Sequence, residues 1–176
     1  MQKKFIKIKS QSIQWGFPIA LLNTYNNEKQ IEEVTIVTSL MNFKNFIVVA
    51  LQKNSSAYKN ILSSENAVLN ILDENNYRRV DKSYKTKEPI NSWLTVSESQ
   101  FANLSRYEEC PISMDLYAEN ISSVDAESVH FVRFKIKNVF VKQDCLDEEG
   151  YIIDKNIRPL IYKFRNYYRL EKKPIK

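Results

Sequence analysis

The chain has almost no glycine: Gly16 and Gly150 are the only two among 176 residues. A dinucleotide fingerprint needs three glycines in one short turn and a P-loop needs two, so Rossmann-type and P-loop chemistry are both excluded. Histidine is scarcer, with His130 alone. Paired-histidine zinc motifs are therefore excluded, and only that residue is left for a serine-histidine-aspartate triad. Cys110 and Cys145 are the only thiols and form no CxxC pair, so neither a disulfide framework nor a thiolate metal site is indicated, and no metal is expected. No apolar run approaches the roughly eighteen residues of a membrane span. Lysines at 3, 4, 7 and 9 break up Phe5, Ile6 and Ile8, which is unlike a secretion signal, so a soluble, cytoplasmic protein is expected.

Positive charge is present but badly distributed for nucleic acid. Of the net +5, residues 1–10 carry +4 and residues 169–176 carry +3, leaving −2 for everything between. A groove that tracks phosphates needs cations clustered on a folded face. Nucleic-acid binding is not expected, and the ends read as basic tails, at about 1–10 and 171–176, on one domain spanning 1–176.

What the sequence has in quantity is β-branched and aromatic residues. Strands are predicted at 17–24, 31–38, 46–51 and 67–72, with a polar turn at 25–29. Beyond Cys110, Ile112, Met114 and Leu116 alternate with polar residues, and 128–142 reads as one long strand. In it His130, Val132, Phe134 and Ile136 share a face, where a partly buried structural histidine fits better than a catalytic one. Ser55 and Ser56 cap a short helix carrying Tyr58, Ile61 and Leu62. Residues 75–81 and 97–104 read as helical turns, 83–92 as surface loop, and 144–150 as a turn in which Gly150 can take positive φ. Many antiparallel strands with few helices predict a mainly β protein, a closed or nearly closed barrel, because closure removes exposed strand edges.

Three segments have the composition of a binding site. Lys53, Ser55 and Ser56 at a strand-to-helix junction are either a phosphate cradle or an ordinary serine cap beside a solvated lysine. Thr35 to Ser39 are either β-formers or donors to a planar heterocycle. From Arg158 to Leu170, four aromatic rings and four cations crowd into thirteen residues; this is either a grip on a flat anion or a strand with a basic outer face. Trp15 and Trp93 read as core or interface anchors, and Cys110 as a small buried hydrophobe.

Taken in order, Phe17 to Leu22, Val34 to Ser39, Ser55 to Ile61, Val68 to Leu72, Glu109 to Ile112 and Pro159 to Tyr168 resemble successive blocks of the flavin reductase-like, FMN-binding split-barrel proteins, over about residues 16–170. The resemblance implies a six-stranded antiparallel split barrel that forms a homodimer, with FMN or FAD near the subunit interface and NADH or NADPH as reductant. It implies that Thr35, Val37, Thr38 and Ser39 run along the isoalloxazine and ribityl chain, that Lys53, Ser55, Ser56 and Asn60 belong to the phosphate segment, and that Asn70 supports that loop. The C-terminal stretch then becomes mainly barrel closure, with Arg165 its candidate ligand contact. No side chain is implied as a catalytic acid or base, because the flavin carries the redox chemistry. The family block Asn-x-Ala-Pro-x-Ser-Ser is replaced here by Glu33-Val34-Thr35-Ile36-Val37-Thr38-Ser39, Ala57 stands where threonine is common, and the segment between Asp81 and Glu109 is short, implying a more open site. A flavin-binding protein without turnover and a degenerate barrel without flavin are the alternatives.

Overall fold

The computed structural model describes residues 16–124 and 128–169, so Trp15 and both basic tails lie outside the described residues. Strands β1 (Phe17–Pro18) and β2 (Ala20–Asn26) are followed by β3 (Ile31–Val37), β4 (Leu40–Phe43) and β5 (Phe46–Gln52). Helix α1 (Ser56–Ser64) leads to β6 (Asn66–Ile71), α2 (Tyr77–Thr86), β7 (Val96–Phe101) and β8 (Leu104–Tyr107). Two long strands, β9 (Ile112–Val124) and β10 (Val129–Val141), precede the short hairpin of β11 (Ile161–Lys163) and β12 (Asn166–Tyr168).

The main sheet is antiparallel and runs β3-β2-β6-β9-β10-β5-β4. Its two terminal strands, β3 and β4, are consecutive in the chain, joined only by Thr38 and Ser39. A sheet whose edges meet at a two-residue corner is curled into a half-barrel, as strand twist requires. The sheet has seven strands rather than six because Leu40 to Phe43 adds β4. Register shifts between Arg133 and Phe134 and between Ile136 and Asn138 bend the β9–β10 pair, as bulges do.

Alternation sets which faces are buried. Ile47, Val49 and Leu51 of β5 and Val132 and Phe134 of β10 point into the main core, with Ala57 and Ile61 of α1 covering it. Arg133, Lys135 and Lys137 point outward. Strand β2 is buried on both faces: Ala20 and Leu22 enter that core, while Leu21 joins Ile19, Leu72, Val80, Ile90 and Leu160 in a second one. This explains its unbroken apolar run. Tyr162 and Tyr167 of the β11–β12 hairpin pack on the second core, and β1 pairs with β11, so the C-terminal stretch is architectural over most of its length.

Two local expectations are corrected. Residues 83–92 are not loop alone: α2 runs on to Thr86 and a 3₁₀ turn covers Ile90–Trp93. Val80 and Ser83, three apart, are the buried side of an otherwise polar helix, and so small a buried face hardly registers as amphipathic periodicity. Residues 97–104 are not helical turns but the β7–β8 hairpin. Its turn residues Ala102 and Asn103 both hold positive φ, of 48° and 62°, without a glycine to advertise it.

Candidate functional site

Strand β3 ends the sheet, so among the described residues its outer edge has no strand partner, and two adjoining depressions lie along it. One, of about 410 Å³, is lined by Thr35, Val37, Thr38, Ser39, Gln52 and Ser55 among others. The second, of about 570 Å³, lies against Glu32, Glu33, Ser56, Lys87 and Asn91. Thr35 and Ile36 line both, which makes them two halves of one cleft. Both volumes fall in the range of small-molecule sites. The second half is walled by Lys87 to Asn91, from the short segment that was expected to leave the site open.

The N-terminus of α1 stands at the junction of the halves, with Ser55 in one and Ser56 in the other. Ser55 is the cap: its Oγ accepts from the Tyr58 amide at 3.3 Å and donates to the Gln52 carbonyl at 2.7 Å. Its hydroxyl is thus occupied by the helix itself, and Ser56, Lys53 and the remaining first-turn amides are what the helix end offers. The first turn holds no acidic residue, so the positive end of the helix dipole is uncompensated by its own side chains. Ala57 is fully buried and contributes packing and a backbone amide.

Glu33, on the cleft, is held by three partners. Its Oε1 accepts from Lys29 Nζ at 3.0 Å and from Asn26 Nδ2 at 3.3 Å, and its Oε2 from Asn60 Nδ2 at 3.0 Å. Burial by itself would push this carboxyl up, but the hydrogen bonds and the Lys29 charge together bring it below its ordinary value. Asn60 also donates to Thr24 Oγ1 at 3.1 Å, so its amide faces the β2–β3 pair.

Behind the cleft lies a buried polar network. Asn70 Nδ2 donates to Asn23 Oδ1 and to the Ser105 carbonyl, both at 3.2 Å, while its Oδ1 accepts from Ser113 Oγ at 2.5 Å. Asn23 reaches Tyr107 at 2.9 Å, and Glu32 accepts from the Ser105 amide and hydroxyl at 2.8 Å each. Burial and the Glu32 charge push the Tyr107 phenol up. Asn70 therefore ties β6 to β2, β8 and β9 and does not line the cleft.

Of the residues singled out from sequence, Thr35, Val37, Thr38, Ser39, Ser55 and Ser56 come together on the cleft. Lys53 is exposed beside it at the end of β5, its amide donating to the Ser128 carbonyl at 2.8 Å. Arg165 is exposed at the tip of the β11–β12 hairpin, outside the cleft lining. Trp93 is half-buried with Lys82 over its ring, and His130 stacks on Tyr58 with ring centres 4.4 Å apart. Sequence reasoning missed Glu32 and Glu33 as organising residues. Two adjacent carboxylates in a strand otherwise rich in β-branched residues were the available signal.

No family model matches the chain. An uncharacterized protein, YdfE of Bacillus subtilis (strain 168), is 21% identical over 188 positions, covering 96% of this chain and 90% of that protein. A split-barrel protein of Shewanella frigidimarina NCIMB 400, described as a flavin reductase, superposes with a TM-score of 0.78 at 14% identity, over 96% of this chain and 93% of that one. Flavoredoxin of Desulfovibrio vulgaris (Miyazaki F) reaches 0.80 at 18% identity, over 99% and 97%. The chain has the flavin reductase-like split-barrel fold. Within this split barrel the cleft follows the edge where the curled sheet is left open, between β3, the corner at Thr38 and Ser39, and α1. Among the described residues no helix is long and apolar enough to cross a membrane.

Proposed function

We propose that this split barrel is an FMN-binding oxidoreductase of the flavin reductase type. The observation that carries the reading is the β3 cleft with the α1 N-terminus opening into it, since one end suits a planar heterocycle and the other an anion. Thr35, Thr38 and Ser39 supply hydroxyls, and the open edge of β3 supplies alternating amide and carbonyl groups of the kind that pair with the polar rim of a flavin. Val37 and Leu51 close the floor of that end from the core, which leaves it apolar beneath the hydroxyls. Ser56, Lys53 and the first-turn amides of α1 would hold the phosphate. The donor set therefore fits FMN, and it has room beside the ring for part of a second ligand. Bound there, the flavin would supply the redox chemistry, taking a hydride from NADH or NADPH and passing electrons to an acceptor. The protein's part is to orient the ring, neutralise the phosphate and shield one side of the cleft.

We also propose a homodimer. Met41 and Phe43 on the terminal strand β4 are 52% and 45% exposed, and Phe43 stacks on Phe46 at 4.6 Å, an apolar outer face that a second copy would cover.

The test of function is the visible spectrum of purified protein supplied with FMN, before and after anaerobic NADH or NADPH. Flavin bands that bleach on reduction support the reductase. Protein that stays colourless and oxidises no NAD(P)H with FMN present refutes it. The likeness to flavoredoxins keeps a second reading, a flavin-binding electron carrier. It is distinguished by stable flavin bands with negligible NAD(P)H oxidation.

A further inference from the structure

We infer that Glu33 is a positioning residue that sets flavin selectivity: through Asn60 it fixes the N-terminus of α1 against β3, so that the phosphate-bearing end of the ligand is gripped only while this link holds. The inference rests on the flavin reading above and goes beyond it by assigning phosphate recognition to a residue that does not touch the phosphate.

The two halves of the proposed site stand on different elements. Thr35 is on β3, and the phosphate donors are on the first turn of α1. Holding both ends of one ligand requires a fixed distance between strand and helix, and small displacements there are costly to binding. Asn60 lies one helical turn beyond Ser56 and is 4% exposed. Its amide donates to Glu33 Oε2 at 3.0 Å and to Thr24 Oγ1 at 3.1 Å, so a single side chain spans from α1 to both β2 and β3. Glu33 is two residues before Thr35 and shares its face of the strand. Its other oxygen is taken by Lys29 of the β2–β3 turn and Asn26 at the end of β2, which fixes the carboxylate's rotamer. The acceptor is therefore held from one side and used from the other.

The charge of Glu33 is a separate matter. A carboxylate on the cleft would oppose a phosphate nearby, but Lys29 Nζ lies 3.0 Å from it and offsets that repulsion. What phosphate binding needs from this residue is thus an acceptor for Asn60 rather than a negative charge. This separates the proposal from a general loss of stability, because glutamine keeps one acceptor oxygen for Asn60 while its amide NH2 group gives up the bonds from Lys29 and Asn26.

The experiment titrates FMN and riboflavin, which lacks the phosphate, into wild-type protein and the Glu33→Ala, Asn60→Ala and Glu33→Gln variants, with thermal melts on each. Wild-type protein is expected to bind FMN more tightly than riboflavin. Both alanine variants should lose about tenfold of that preference, the scale of one helix-terminus interaction with an anion, while riboflavin affinity is unchanged. Glu33→Gln, with one oxygen left to accept from Asn60, should keep more of the preference than Glu33→Ala, and the double alanine variant should lose no more than either single one, because both break the same link. Equal losses for the two ligands, no loss, or a glutamine variant as impaired as alanine would overturn the inference and leave the flavin reading standing. If Asn60→Ala does not fold, Glu33→Ala at its half-buried position decides the matter. Wild-type protein that binds neither ligand overturns the flavin reading and this inference together. Equal affinity of wild-type protein for both ligands overturns this inference alone.

Discussion

Phe164 and Arg165 form the two-residue turn between β11 and β12 with φ of 45° and 66°, a left-handed pair that suits asparagine and glycine. Each non-glycine residue there carries a steric cost, so Arg165→Gly should stabilise the fold by about 1 kcal/mol, read as a higher midpoint in urea or heat. A lower midpoint would show that the side chain contributes more than its backbone strain removes. Glu33 makes a different prediction, on acid stability. Its folded carboxyl lies below the ordinary 4.5, so protonation favours the unfolded chain. Its contribution is complete above about that pH and is lost as pH falls through the folded value. Glu33→Gln should therefore flatten the fall in stability below pH 4.5, and an unchanged acid limb would contradict the assignment. The residue scale is also where the sequence was hardest to read. Ser55 and Thr35 were visible as candidates, but Glu33 was visible only as a departure from the family block, because the partners that give it a role are on the turn below and the helix above.

At the scale of elements, the buried network around Asn70 joins four strands. Asn70→Ala would leave Ser113 Oγ and Asn23 Oδ1 without this partner in a dry site, and each orphaned group costs about 1–3 kcal/mol. A destabilisation of about 2–3 kcal/mol is expected in urea unfolding. A loss below about 0.5 kcal/mol would mean that water or a neighbour replaces the bonds. The long strands were legible because alternation is strong where one face is buried, as in Val132 and Phe134 against Arg133 and Lys135. The β7–β8 hairpin and the C-terminal part of α2 were not. Their signals are a glycine-free turn at Ala102 and Asn103 and a helix with only Val80 and Ser83 buried, and neither follows a repeating apolar pattern.

At the scale of the whole molecule, the curled sheet leaves one side open at β3 and an apolar outer face at β4. If a second copy covers that face, Phe43→Glu should shift the protein to a monomer in light scattering, because a charge buried against apolar surface is strongly disfavoured. A wild-type monomer would remove the dimer from the proposal. Local chemistry was enough to determine the strand pattern, the serine cap of α1, and the absence of glycine loops and histidine clusters, since each depends on residues near one another in the chain. Only the tertiary structure decided that Thr38 and Ser39 join the sheet's two edges, that Glu33 meets Asn60, and that Asn70 meets Ser113. Those pairs lie on different elements, and curling of the sheet, which no local pattern encodes, is what brings them within hydrogen-bonding distance.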